Sequence, residues 1–139
     1  DRKKDMIVND KGDNVAPQRV EGMLTLQPEI GQAMISGDRR PYMVAVLVPD
    51  AEWTAEWCAA QTPRCDPATV AGDATYRAAL GEAVDRVNRQ LSVTERVRRF
   101  ILADDAFTIE NKQLTPSLKI RRHVLNEVYG ERLGALYRS

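Results

Sequence analysis

The sequence is poor in the residues that most often announce a site. It has one histidine, His123, and two cysteines, Cys58 and Cys65, among 139 residues. A single His excludes a multi-His metal centre, and neither Cys has Cys or His partners at zinc spacing, so no metal site is expected. The cysteines read as free thiols in a reducing compartment, with a disulfide left open. No charge of one sign dominates: 20 basic side chains face 20 acidic ones. That balance argues against binding nucleic acid through phosphate neutralisation. No run of about 18 apolar residues exists, so no membrane span is expected. There is no P-loop and no dinucleotide-binding glycine fingerprint. The chain opens Asp1-Arg2-Lys3-Lys4-Asp5, without an initiator Met or the apolar stretch of a signal peptide. It is therefore expected to be a piece of a longer protein.

What is present is a patterned globular chain, 43% hydrophobic and 29% charged. Its length suits one domain, able to bury roughly 70% of the unfolded chain's surface. Residues 5–16 predict a short β-hairpin turning at Gly12. Pro17 suits a first helical turn, Val20, Met23, Leu24 and Leu26 mark a helical face, and Pro28 ends it. Strands are expected over Ile30–Ser36 and over the apolar run from Met43 to Val48, the latter central and buried. Asp50 can cap the next helix, on which Trp53 and Trp57 share a face. A long helix at about 74–92 follows, with Tyr76, Leu80, Ala83, Val84, Val87 and Leu91 in register. Strands at 99–103 and 107–109, a polar loop at 111–118 and a helix from about Ile120 to Tyr137 complete the chain. Ile120, Val124, Val128 and Leu133 mark that helix's buried side, with Leu125 and Leu136 alongside. The order predicts an α+β (mixed α/β) domain: a small hairpin, then a small central sheet flanked by about four helices.

Self-contained catalytic apparatus is missing. A Ser-His-Asp triad would need His123, which sits in a basic helix start, and Asp104-Asp105 lies in a turn. Two segments stand out instead. Residues 1–21 run charged entry, apolar strand, Gly turn, second strand and Pro-started helix to Glu21. Residues 114–122, Leu-Thr-Pro-Ser-Leu-Lys-Ile-Arg-Arg, put Lys119 at a loop beside the last helix, where its ammonium suits a phosphate or carboxylate oxygen. Bases also gather at 115–139 (Lys119, Arg121, Arg122, Arg132, Arg138), so an anionic ligand is expected near the chain ends. Taken singly, a Gly hairpin and a surface Lys are ordinary.

Together these segments give a resemblance to the C-terminal domain of adenylate-forming (AMP-forming) acyl-CoA synthetases, closest to long-chain fatty-acid CoA ligases. It covers essentially the whole chain. Asp1-Arg2, Met6-Ile7-Val8, Gly12, Pro17 and Glu21 match the family's post-hinge motif. Gly37-Asp38-Arg39-Arg40-Pro41-Tyr42, Val46-Leu47-Val48-Pro49-Asp50 and the 114–122 segment look like the long-chain group. Many members carry Gly before the catalytic Lys; this chain has Leu118, as long-chain members commonly do.

The resemblance implies that residues 1–139 form a single C-terminal lid domain of a larger two-domain enzyme, with the hinge near 1–5. Such enzymes join ATP and a carboxylate into acyl-adenylate and pyrophosphate, then pass the acyl group to CoA, releasing AMP. By position, Lys119 would be the adenylation lysine and Lys4 the hinge residue. Arg2 would lie beside the nucleotide, and the Gly12 loop would approach CoA in the thioester pose. ATP and CoA would be substrates, with Mg2+ arriving with ATP and held largely by the N-terminal domain of the same polypeptide. That domain, acyl-AMP, CoA and a fatty acid would be the partners. The location implied is the cytoplasm, with peripheral membrane association left open. The isolated chain should be inactive. The same domain of a fatty-acyl-AMP ligase or another carboxylate-adenylating enzyme is an alternative, as is a non-catalytic α/β binding module.

Overall fold

The apolar run at 43–48 becomes β4 (Met43–Pro49), the central strand of a three-stranded sheet in the computed structural model, which describes residues 6–138. β4 pairs antiparallel with β3 (Ile30–Ser36) and parallel with β5 (Val97–Leu102). Strand alternation sorts its side chains between two cores. Met43, Ala45 and Leu47 join Ala33 and Ile35 of β3 in one. Val44 and Val46 join Met34 in the other. A sheet covered on both faces needs a continuously apolar central strand, which is why β4 lacks a polar alternate.

Ahead of the sheet, β1 (Ile7–Val8) and β2 (Asn14–Val15) form the predicted hairpin. Helix α1 (Pro17–Thr25) starts with Pro at its first turn and stops before Pro28. Its buried face is Val20 and Leu24; Leu26, expected on that face, lies beyond the helix and is 81% exposed. The parallel crossover from β4 to β5 contains α2 (Ala51–Ala59) and α3 (Ala74–Asn88). Asp50 caps α2 as expected, accepting from the Trp53 N–H at 2.9 Å. Trp53 and Trp57 share a face and both stack near Tyr76 of α3. Tyr76, Leu80, Ala83, Val84 and Val87 form the buried stripe of α3, next to α1 in the first core.

Three expectations are corrected. β5 begins two residues early because Asn88 clamps Val97, donating to its carbonyl (2.8 Å) and accepting from its N–H (2.9 Å). Residues 107–109 are not a strand. The Gln32 side-chain amide takes a strand's place, accepting from the Phe107 N–H (2.8 Å) and donating to its carbonyl (3.0 Å). Thr108 and Asn111 then exchange hydrogen bonds and turn the chain. Finally, α4 (Arg122–Ala135) starts later than Ile120 and is rotated from expectation. Leu125, Tyr129 and Leu133, four apart, form its stripe in the second core, while Val128 is 51% exposed. Tyr129 wins that position because its ring fills the core while its hydroxyl accepts from the Asp104 N–H.

The architecture is thus mixed α+β, with α1, α2 and α3 on one face of the sheet and α4 on the other. No helix among the described residues is long and apolar enough to cross a membrane.

Candidate functional site

Lys119 stands in a loop closed on itself. Leu114 and Ile120 form an antiparallel bridge at its base. The Thr115 N–H donates to the Lys119 carbonyl (2.8 Å), and the Lys119 N–H donates to the Thr115 hydroxyl (3.1 Å). The Leu118 N–H donates to the Thr115 carbonyl, and the Thr115 and Ser117 hydroxyls lie 3.0 Å apart. This turn needs a left-handed residue before the lysine: Leu118 has φ +66°. A branched side chain there costs about 1–2 kcal/mol that glycine would not. The departure seen in the sequence, Leu in place of Gly, therefore falls on a backbone angle suited to glycine. Leu118 is 68% exposed and contributes little to the core.

The backbone of Lys119 is braced, yet its side chain is exposed and makes no hydrogen bond or ion pair among the described residues. A positioned cation without an internal partner is available to an external anion. Its surroundings strengthen that property. α4 begins without a side-chain cap, without an acid in its first turn, and with Arg122 and His123 in place. The helix dipole makes this end positive; Glu21 answers Arg122, and the exposed Lys119 ammonium beside it is left for an external anion.

The loop overlooks an open groove of about 780 Å³, lined by Gln18, Glu21 and Thr25 of α1, Gln32 of β3, Phe107, Lys119 and Arg122. Glu21 is buried and fixes three elements at once. It accepts from both Arg122 Nη atoms at 2.6 Å and from the Ile35 N–H at 2.8 Å. Arg121 donates its backbone N–H to the Gln113 carbonyl and its guanidinium to the Lys112 carbonyl.

Gly12 lies elsewhere. Its φ is +84°, and a Cβ would meet nothing within 4 Å, so within this chain it answers a backbone demand rather than a steric one. Buried Asn9 organises its turn, accepting from the Lys11 and Asp13 N–H groups. The hairpin leans on residues 38–40: the Val8 N–H meets Asp38, the Arg39 N–H meets the Val8 carbonyl, and the Asp10 N–H meets the Arg40 carbonyl. The Lys119 groove touches β3 near its start, and the hairpin docks just past its end. The structure does not bring Lys119 and Gly12 into one pocket. Arg2 and Lys4 lie outside the described residues.

Sequence reasoning missed Asn9, Gln32 and the Glu21–Arg122 pair. Glu21 and Arg122 each fell inside a noted segment, but no local pattern joins residues 101 positions apart. Among the described residues no group of three or more His, Cys, Asp or Glu could hold a metal. The groove's one carboxylate, Glu21, is engaged by Arg122, so these residues do not offer Mg2+ a ligand set. Cys58 and Cys65 are free thiols; burial, then the Cys65 neighbour, pushes the Cys58 thiol up to about 11. A thiol held protonated in this way makes a poor nucleophile.

The family model for the AMP-binding enzyme C-terminal domain matches residues 4–139. The long-chain-fatty-acid–CoA ligase FadD15 of Mycobacterium tuberculosis is 33% identical over 138 residues, 98% of this chain and 23% of that protein. The chain thus spans about a quarter of that relative's length. The adenylation domain of a carboxylate reductase from Mycobacterium chelonae superposes with a TM-score of 0.82 at 30% identity, covering 100% of this chain and 20% of that one. The A-PCP didomain of carboxylic acid reductase from Segniliparus rugosus, solved with AMP, gives 0.77 at 32% identity, covering 99% and 18%.

Proposed function

The chain belongs to the family of AMP-binding enzyme C-terminal domains, and from that membership we propose that it is the lid of an ATP-dependent long-chain fatty-acid–CoA ligase. Lys119 is its adenylation lysine. The observation carrying this reading is the braced, exposed and unpartnered Lys119 at the positive end of α4. When a carboxylate attacks the α-phosphate, negative charge from both reactants converges. A cation held ready at that point lowers the repulsion and orients the pair. The chain alone supplies the cation, while the larger domain of the same polypeptide holds ATP and the acyl group.

In the second half-reaction the lid turns, with Lys4 as hinge and Arg2 beside the nucleotide. The Gly12 hairpin then takes Lys119's place near the adenylate, where the CoA thiol attacks. Support comes from the separation of the two features along β3. A rigid domain whose two functional loops sit at different ends of one strand cannot offer both to one centre at once.

The likeness to carboxylate reductase adenylation domains favours a second reading, in which the same adenylate is delivered to an acceptor other than CoA.

The test uses the intact enzyme that carries this chain. Lys119→Ala should lower carboxylate-dependent ATP–pyrophosphate exchange by about 10²–10³-fold, the range for removing one preorganised charge-stabilising group. Thioester formation from supplied acyl-adenylate should survive. Lys4→Pro should show the opposite split. Equal losses in both halves for Lys119→Ala would refute its role. Failure of the wild-type enzyme to load CoA, with adenylation intact, would favour the second reading.

A further inference from the structure

Lys119 is braced within its own loop, but that loop must also be held to the domain. Apart from the Leu114 N–H, which donates to the Thr108 carbonyl, the hydrogen bonds from Leu114 to Ile120 are internal to the loop. They fix its shape, while its attitude toward the sheet is set by Leu114 and Ile120, packed against the second core, and by its two roots. One root is the Gln32 clamp on Phe107. The other is Arg122, three residues after Lys119.

Arg122 is gripped from two other elements by one acid. Glu21 of α1 accepts both guanidinium bonds, and its Oε2 also takes the Ile35 N–H of β3. A bidentate pair fixes the angle between its partners as well as their distance. Of the four ion pairs among the described residues, this one has the smallest summed side-chain exposure, 17% for Arg122 and 9% for Glu21. Both side chains line the groove that Lys119 overlooks.

We infer that Glu21 and Arg122 are positioning residues for adenylation: the pair fixes the root of the Lys119 loop and so aims the ammonium at the reacting oxygens. The inference rests on Lys119 being the adenylation lysine. Neither Glu21 nor Arg122 need touch substrate. Misplacement of a catalytic group by about 1 Å can cost about 10²-fold, so a pair setting loop attitude can matter as much as a contact.

The test compares Glu21→Gln and Arg122→Lys in the intact enzyme. Both keep size and polarity but break the two-pronged geometry, and each can stand in if the other fails to fold. The readouts are pyrophosphate exchange and thioester formation from supplied acyl-adenylate, each with and without Lys119→Ala. Adenylation kcat should fall by about 10–10²-fold, with the KM for ATP changed less than about twofold and thioester formation preserved. In the Lys119→Ala background neither variant should lower adenylation further, because the group being aimed is gone. Unchanged adenylation, equal losses in both half-reactions, or the same fold-loss in the Lys119→Ala background would overturn the inference. Lys119→Ala leaving exchange intact would instead overturn the reading beneath it, so the two failures are separable.

Discussion

Truncating Arg122 to Ala should destabilise the domain by about 2–4 kcal/mol, the loss of two charge-assisted hydrogen bonds to a buried carboxylate. The figure follows from the geometry. Glu21 has 9% side-chain exposure and would lose two 2.6 Å charge-assisted bonds, while the Ile35 N–H is among the partners it keeps. Against a total stability of about 5–15 kcal/mol, the variant stays folded in water but weakened. With a urea m-value of about 2 kcal/mol/M, its midpoint should drop by about 1–2 M. Glu21→Ala should cost a similar amount by another route. It removes the acceptor of a buried backbone N–H, about 1–3 kcal/mol, besides releasing Arg122. The doubly substituted chain decides the matter. If the cost lies in the bonds the two share, removing both partners should be at least about 1 kcal/mol less damaging than the two single losses added. Urea unfolding of all four forms, followed by tryptophan fluorescence from Trp53 and Trp57, measures this directly. Additivity within about 0.5 kcal/mol would refute the reasoning and reduce the pair to a screened surface contact.

Two further outcomes follow from backbone angles and burial. Gly12→Ala should cost about 1–2 kcal/mol through φ alone, since a Cβ there meets nothing. Leu118→Gly should stay within about 1 kcal/mol of wild type, relief of its φ of +66° being offset by glycine's added chain entropy. Urea midpoints check both, and a loss above about 2 kcal/mol for Leu118→Gly would show that its side chain packs after all. Stability should also decline above about pH 9. Cys58 is pushed from 9.0 to about 11 by burial and then by Cys65, and Tyr137 from 10.0 to about 12 by burial. Both acids keep their protons longer when folded, so the unfolded chain ionises first and gains from each rise in pH. The Cys58 contribution is lost between pH 9 and 11, that of Tyr137 between 10 and 12. Cys58→Ala should flatten the midpoint curve from pH 9 to 11; an unaltered slope would contradict the assigned burial effect.

Much of the scaffold was legible because its causes are local. The β-branched run at 43–48, bounded by Pro41 and Pro49, favoured a strand covered on both faces, and the stripe from Tyr76 to Val87 kept helical spacing over several turns. Asp50 announced its cap three residues ahead. Where two apolar patterns competed, local reading failed. Val128 and Tyr129 are neighbours on α4, and packing against Val44, Val46 and Phe107 chose the tyrosine. Residues 107–109 had a strand's composition but no strand to pair with, and Gln32, 75 positions away, took the backbone bonds instead.

The sequence alone determined the element order apart from the strand expected at 107–109, the sheet's central strand, the family resemblance and the place of Lys119 at a loop before a basic helix. Periodicity, capping and turn chemistry act over a few residues, so they survive in one dimension. Tertiary structure alone decided that Glu21 holds Arg122, that Leu118 takes a left-handed angle, and that Lys119 and Gly12 sit by different ends of β3. The first and last depend on which helix packs against which strand edge, the Leu118 angle on how the 115–119 turn closes, and distance along the chain carries no record of either.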